Sequence, residues 1–405
     1  SLATLACQLA DSVKPSRVES PAISVIVPCY NAASYLHICL ESLRCQTLPS
    51  DCFEIICVDD CSTDATLQIL EQYADILRNL RIIRHTENQK QGAARNSGLN
   101  CALGRYVTFV DSDDFLRMDA LELMTNLIGS ADLLVCQHVK TRFDRPHKRA
   151  VSNRAVKTSL SLAGLDCTVG WFPVGMLISR AILDRKRIRF REGVYYEDID
   201  FNIRLFLNAG SHVISKEVLY YYVDRDGSTT NHVDAKKLND AVAAMVEVAN
   251  LVATRPIADQ NAFYKRAAIF LELMAERLSK SEMEFHKRTQ LAKEFSAKIC
   301  AAGLSEKLPS DFLLKIADTA SNSCRPIQAS PLSPGEAPFR YTPWAKDLSA
   351  DFEGRVVFYC EVDYHIRSIA PVARALKTYG IESIIIDASH STSFSTNRPL
   401  PDAER

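Results

Sequence analysis

Four short apolar runs, each closed by a polar cluster and separated from the next by a segment of helical periodicity, constrain this chain more than any other feature. Ile23-Ser24-Val25-Ile26-Val27-Pro28 is a β-branched run ended by proline, the pattern of a buried strand entering a loop. Leu36, Leu40 and Leu43 follow near helical spacing, and Phe53-Glu54-Ile55-Ile56-Cys57-Val58 is a second strand that stops at Asp59-Asp60. Ser62 or Thr63 can cap the next helix, which carries Leu67, Ile69, Leu70 and Tyr73. Leu80-Arg81-Ile82-Ile83 predicts a third strand, residues 93–103 a helix, and Tyr106-Val107-Thr108-Phe109-Val110 a fourth strand ending at Asp111-Ser112-Asp113-Asp114. Strands alternating with helices predict βαβ units, hence an α/β fold with a mostly parallel central sheet flanked by helices.

Past residue 129 the alternation loosens. Residues 131–139 predict another strand, 171–180 are apolar, Gly193 to Phe201 open a helix running through Leu207, and 218–223 are strand-like. Helical periodicity then fills 234–316, and 321–343 is rich in Ser and Pro, as linkers are. From Gly354 a strand–helix–strand unit is predicted: a strand at Arg355 to Cys360, a helix at Ile369 to Tyr379 ended by Gly380, and a strand at Ile381 to Ile386. The predicted organisation is an N-terminal extension (1–20), an α/β domain (21–232), a helical region (233–320), a linker (321–345) and a partial α/β segment (346–405). About fifty residues cannot bury a parallel sheet alone. That segment is therefore expected to dock elsewhere or to continue past Arg405 into a second domain.

Composition narrows the partners. Lys and Arg number 48 against 49 Asp and Glu, a net charge of -1, without the basic excess that nucleic acid selects. The most apolar stretch, 241–253, is interrupted by Glu247 and Asn250, short of the roughly 18–20 residues of a membrane span. The chain opens on Ser1 with no basic n-region, so no signal peptide is expected there. Thirteen cysteines without a CxxC pair predict free thiols in a reducing cytoplasm rather than a disulfide framework or zinc site. The basic run Arg185 to Arg191 offers a surface to an anionic acceptor or to lipid headgroups, which would hold the protein peripherally at the inner face of a membrane. A solvated face is its simpler reading.

Polar residues gather just beyond the strand ends: Tyr30-Asn31, Asp59-Asp60 and Asp111 to Asp114. In open α/β sheets that rim binds ligands, although Asp and Asn are also common turn residues. Asp111-Ser112-Asp113 is a D-x-D in which two carboxylates can hold a hard divalent cation, and the cation in turn a diphosphate. Neither GxxxxGK[ST] nor GxGxxG occurs, so a nucleotide here needs metal rather than a glycine-rich loop to offset its charge. HExxH and GxSxG are absent as well, which argues against a zinc protease or a serine hydrolase.

Four motifs in order, Ser24-Val25-Ile26-Val27-Pro28-Cys29-Tyr30-Asn31, Val58-Asp59-Asp60-Cys61-Ser62-Thr63-Asp64-Ala65-Thr66, Gly92-Ala93-Ala94-Arg95-Asn96-Ser97-Gly98-Leu99 and Phe109-Val110-Asp111-Ser112-Asp113-Asp114, resemble the nucleotide-sugar half of family 2 glycosyltransferases, which have the GT-A fold. Tyr196-Glu197-Asp198-Ile199-Asp200-Phe201 is similar to that family's acceptor-side ED motif, and the resemblance spans about residues 20–230. Cys61 stands where the family usually has glycine, and Cys29 separates Pro28 from Tyr30. The resemblance implies a UDP-sugar donor whose base is held by Pro28, Tyr30 and Asp60, with Asn31 also among the donor-binding residues and Arg95 bracing the pocket. It further implies Asp111 and Ser112 near the ribose and diphosphate, and Asp113, with Asp111, as ligands of Mn²⁺ or Mg²⁺. Asp198 is implied as the general base for an inverting displacement, with Glu197 beside it orienting the acceptor. Asp200 can simply favour the first helical turn, Trp171 can stack on a sugar or fill core, and Arg225 can reach the diphosphate or form a surface ion pair.

The expected activity is metal-dependent transfer of a sugar to a hydroxyl of a saccharide or polymer acceptor, in bacterial capsule or lipopolysaccharide synthesis. Two alternatives stand beside it. A sugar nucleotidyltransferase would show a glycine-rich signature after the first strand, where this chain has Pro28-Cys29-Tyr30-Asn31. A catalytically inactive carbohydrate-binding module is disfavoured by the intact Asp60, Asp113 and Asp198. The C-terminal segment more weakly resembles the start of a GT-B-like or glycerophosphotransferase-like domain, which would make the whole protein a bifunctional polymer-forming enzyme.

Overall fold

The computed structural model describes residues 21–141, 150–151, 172–223, 233–281, 283–308, 312, 356–360 and 383–387. The N-terminal extension, Trp171, Arg225, the 321–345 linker and the helix expected at 369–379 lie outside the described residues. Strands β1 (Ile23–Cys29), β2 (Phe53–Asp59), β3 (Leu80–Arg84) and β4 (Tyr106–Phe109) alternate with helices α1 (Leu36–Arg44), α2 (Thr66–Ile76) and α3 (Lys90–Cys101). They pair in parallel in the order β3-β2-β1-β4, the predicted βαβ arrangement.

Then the sheet becomes mixed. β5 (Phe115–Leu116), α4 (Ala120–Ile128), β6 (Leu133–Thr141), β7 (Ala150–Val151) and β8 (Met176–Ser179) follow in the chain, and β8 joins β4 and β6 antiparallel. After α5 (Arg180–Arg185) and α6 (Glu197–Asn208), β9 (His212–Val223) lies parallel to β6 and antiparallel to β5, completing the order β3-β2-β1-β4-β8-β6-β9-β5. β9 is twice the length of the run predicted at 218–223. Its first half, His212 to Glu217, is partly buried to exposed and lacks the aromatic signal of Leu219-Tyr220-Tyr221.

Side-chain alternation on β1 sorts the two layers. Ile23, Val25 and Val27 meet α1, α2 and α4 on one face, while Ile26 meets α3 and α6 on the other. The second layer extends without a break into α7 (Ala235–Val252), α8 (Ile257–Ser279) and α9 (Phe285–Ala301), whose Met245, Leu271 and Phe295 share its core. The helical region thus buries its apolar stripe against the α/β unit. None of the described helices is long and apolar enough to cross a membrane. β10 (Val356–Cys360) and β11 (Ser383–Asp387) form a separate parallel pair, the two strands of the unit predicted near the C-terminus.

Two local expectations are corrected. α2 is not capped by Ser62 or Thr63: Asp64 Oδ1 accepts from the Thr66 backbone N–H at 2.9 Å and its hydroxyl at 2.5 Å, and Asp64 Oδ2 accepts from Ala33 N at 3.1 Å. Asp64 thereby ties the β2 loop to the β1 loop and bonds the first residue of the helix. Among the described cysteines eight are free, but Cys101 is disulfide-bonded, a departure from the all-thiol reading.

Candidate active site

Strand register puts the polar clusters on one rim. Cys29 pairs with Asp59, Asp59 with Arg84, and the β1–β4 ladder ends at Ile26–Phe109, so Tyr30, Asp60, His85 and Asp111 all emerge at the same edge. Pro28 lies beyond that ladder, where β1 is paired on the β2 side only and a missing N–H costs least. It is buried in the strand, whereas the Tyr30 ring is 51% exposed above it. Asn31 takes part in the loop that carries Tyr30. Its φ is 48°, its N–H donates to Ser62 Oγ at 3.0 Å, and its Oδ1 accepts from Thr63 N at 2.8 Å. Through these bonds Asn31 holds the β1 and β2 ends together at the rim.

Asp60 is buried and anchored through one oxygen. Oδ1 accepts from the Gln89 N–H at 2.9 Å and sits 2.6 Å from His85 Nδ1, and His85 Nε2 is 2.9 Å from Ser97 Oγ. No described group occupies Oδ2, which leaves an acceptor at the rim. His85, at the end of β3, was not foreseen as a site residue; its place on the same rim is the signal that could have found it.

Helix α3 explains the Gly92 to Leu99 motif residue by residue. A Cβ on Gly92 would lie 2.2 Å from the Arg191 carbonyl oxygen, and one on Gly98 would lie 2.5 Å from Ile26 Cγ2, so both glycines are contact points of backbone against neighbour. Asn96 bonds both backbone groups of Phe190, Nδ2 to O and Oδ1 to N, each at 2.9 Å, as a strand partner would. Phe190 in turn stacks on Phe201 and meets Phe109 edge-on. Arg95, buried, donates to Asp111 Oδ1 at 2.8 Å and to Glu197 Oε1 at 2.9 Å, joining the end of β4 to the start of α6. Burial works against its charge, but Asp111, Glu197 and Asp198 more than offset that and keep it cationic. Gly92→Ala is expected to cost on the order of 1–3 kcal/mol, because a methyl group there must push α3 off residue 191. A lowered thermal midpoint by differential scanning calorimetry would show it.

The D-S-D turn divides into facing and buried members. Asp111 also accepts from Gln91 Nε2 at 2.9 Å, and its N–H donates to Tyr220 Oη at 3.1 Å. Asp114 points inward, where Oδ2 accepts from Tyr220 Oη at 2.5 Å and Oδ1 from Val223 N at 2.7 Å. Burial, then Asp113 and Asp111, push its carboxyl well above the usual range. Asp114 and Tyr220 are supports of the turn rather than rim ligands. Ser112 and Asp113 are half-buried at the rim. Among the described residues no three His, Cys, Asp or Glu side chains form a ready-made metal cage. Mg²⁺ and Mn²⁺ sites on diphosphates commonly use only one or two carboxylates and take the remaining ligands from phosphate and water. Asp113 with Asp111 fits that donor set.

Tyr196 adopts a left-handed turn, φ 60°, from which α6 begins with Glu197, Asp198 and Asp200 in its first turn. A helix N-terminus favours carboxylates, yet Asp198 is pushed up to about 8, because burial and the neighbouring Glu197 outweigh Arg95 and the helix amides. Glu197 is raised as well, by burial, with Arg95 opposing. Asp200 is wholly buried between Arg191 and Arg204 and so is a structural clamp, not a site group. Arg191 is spent on the buried Asp200 and Arg189 on a surface ion pair with Asp184, so of the basic run only Arg185, Lys186 and Arg187 are fully exposed. The arrangement therefore brings Arg95, Asp111, Glu197 and Asp198 together and sets Tyr30, Asn31 and Asp60 along the same rim.

Residues 24–187 match the family model for glycosyl transferase family 2. EpsH of Bacillus subtilis is 35% identical over 215 residues, 51% of this chain and 61% of EpsH. The poly(ribitol-phosphate) beta-N-acetylglucosaminyltransferase TarP of Staphylococcus aureus is 27% identical over 58% of this chain and 73% of TarP. Among solved structures, S. aureus TarS 1–349 in complex with UDP-GlcNAc superposes with a TM-score of 0.55 at 25% identity, covering 74% of this chain and 90% of that one. The chain spans 61% of EpsH and 33% of the Bacillus spizizenii poly(ribitol-phosphate) beta-glucosyltransferase, less than two thirds of either.

Proposed function

This chain belongs to glycosyl transferase family 2 through residues 24–187, and we propose that it transfers a sugar from a UDP-sugar to a hydroxyl of a polymer acceptor with inversion. The observation that carries this reading is the Arg95 bridge, which links the donor-side carboxylate Asp111 to Glu197 and so fixes the turn that presents Asp198. The donor's base lies against the exposed Tyr30 ring, and Asp60 Oδ2 accepts its imide N–H. Asp113 and Asp111 hold Mn²⁺ or Mg²⁺, which supplies positive charge for the leaving diphosphate. Asp198 takes the proton of the acceptor hydroxyl as its oxygen attacks the anomeric carbon from the side opposite the diphosphate. Glu197, fixed by Arg95, orients that acceptor. Relatives named for UDP-GlcNAc binding and for poly(ribitol-phosphate) glycosylation support a UDP-sugar donor and a bacterial surface polymer as the acceptor class.

The parallel β10–β11 pair supports a second α/β unit toward the C-terminus, consistent with a longer, two-domain polymer enzyme. The test is transfer from a panel of UDP-sugars with Mn²⁺ or Mg²⁺. Release of UDP dependent on one sugar and on acceptor is the expected result, and no UDP release with any donor would refute the reading. Asp60→Asn is expected to weaken UDP binding by about tenfold, because an amide replaces an anchored anionic acceptor. Calorimetric titration of UDP measures this, and an unchanged affinity would remove Asp60 from the base pocket.

A further inference from the structure

Tyr196 is the residue from which α6 starts, two positions before Asp198, and its backbone lies in the left-handed region at φ 60° and ψ 34°. That conformation suits glycine, and a bulky aromatic holds it only where the surroundings over-determine it. The side chain supplies the reason. Its hydroxyl donates to Met274 Sδ at 3.0 Å, and its ring meets Phe270 edge-on with the centroids 5.2 Å apart. Both partners belong to α8, and Met274 is wholly buried there. Burial pushes the Tyr196 phenol up to about 12, so the hydroxyl keeps its proton and remains a donor near neutrality. A tyrosine needed for packing alone could reach α8 from an ordinary backbone. Here the contact comes with a left-handed turn directly before the candidate base.

The preceding residue is held from α7. The Tyr195 N–H donates to Asp240 Oδ2 at 2.9 Å, and Asp240 is itself steadied by Lys236 Nζ at 3.1 Å. The ends of the same turn are fixed by the α/β unit. Arg191 is held by its ion pair with Asp200 and by the close pass of its carbonyl over Gly92, and Glu197 is held by Arg95. Two grips thus act on one short segment. The α/β unit sets where the turn enters and leaves, and the helical region sets the backbone of its last two residues, Tyr195 and Tyr196. That backbone aims the first turn of α6. A rotation at Tyr196 would swing Asp198 about the helix start, whereas Tyr30, Asp60 and Asp111 of the donor rim stand on other elements.

We propose that Tyr196 and Asp240 are positioning residues of the transfer reaction: α8 and α7 grip the turn through them and so hold Asp198 toward the acceptor hydroxyl. This rests on the transferase reading above. The helical region then serves the chemistry as well as the core, and the acceptor side of the cleft is built from two parts of the chain.

Four single variants of the full chain test this. Tyr196→Gly accepts the left-handed backbone without strain but lets go of Met274 and Phe270, while Tyr196→Phe keeps the ring contact. Asp240→Leu removes the acceptor of the Tyr195 N–H, while Asp240→Asn keeps an acceptor oxygen. With Mn²⁺ and the UDP-sugar that supports UDP release, Tyr196→Gly and Asp240→Leu should lower kcat by about 10–100-fold, the loss a displaced catalytic group gives. The donor KM and the calorimetric affinity for UDP should stay within about twofold of wild type, because the donor rim is untouched. Tyr196→Phe and Asp240→Asn should retain most of the rate. Hydrogen exchange over residues 193–200, read by mass spectrometry, should be faster in the first two variants only. A wild-type kcat in either Tyr196→Gly or Asp240→Leu would overturn the inference. So would unchanged exchange at 193–200, a loss of UDP affinity as large as the loss of rate, or equal losses in Asp240→Leu and Asp240→Asn. Faster exchange at 193–200 in a chain that released no UDP from any donor would keep the grip of α7 and α8 while removing the transferase reading.

Discussion

Asp198→Asn is expected to lower the transfer rate by about 10²–10⁴-fold while leaving UDP affinity nearly unchanged. The substitution keeps the shape of the side chain at the first turn of α6 but removes its capacity to take a proton. The pH profile should carry the same signature. A base must be ionised to act, and Asp198 is held up to about 8, so kcat/KM of the wild type should rise with pH through about 8 and level off above it. Stability runs the other way. The folded chain binds this proton more tightly than the unfolded one, so the contribution of Asp198 to stability is full below pH 4 and is lost as pH climbs toward about 8. Asp198→Asn, which removes the charge, should therefore raise the thermal midpoint above pH 8 by roughly 2–4 °C, the effect of about 1 kcal/mol on a domain of this size. An inactive variant that is also more stable would mark a group kept for chemistry at the expense of the fold. Wild-type turnover in the variant would transfer the role of base to Glu197, the adjacent carboxyl that Arg95 holds.

Asp113→Ala is expected to abolish metal-dependent UDP binding and to reduce transfer on the order of 10³-fold, the loss of several kcal/mol of charge stabilisation on the leaving diphosphate. The fold should survive, since Asp113 is half-buried at the rim and its charge acts against its neighbours, raising the Asp114 carboxyl and the Cys29 thiol. Titrating UDP with and without Mn²⁺, before and after chelation, reads the effect directly. Metal-dependent binding that persisted unchanged would leave Asp111 as the ligand, competing with Arg95 for the same carboxylate.

The sequence by itself determined the α/β class, the parallel pairing of its first four strands and the rim that carries Tyr30, Asp60 and Asp111, but not the order β3-β2-β1-β4. These are consequences of local pattern: β-branched runs, helical spacing, and the rule that parallel strands end their crossovers on one edge. The sequence also singled out Arg95, Asp113, Glu197 and Asp198 through motif order, without telling which of them meet. Tertiary structure alone decided that Arg95 joins residues 16 and 102 positions away, Asp111 and Glu197, and that Gly92 is there because the Arg191 carbonyl passes over it. It also decided that Asp64 bonds the first residue of the helix and that Asp200 is spent in a buried ion pair, although each carries the same acceptors that a ligand site uses. A polar side chain's chemistry is written in its own atoms. Whether that chemistry is spent on the fold or left for a ligand depends on which distant backbone and charged groups come within about 3 Å, a distance no local pattern encodes.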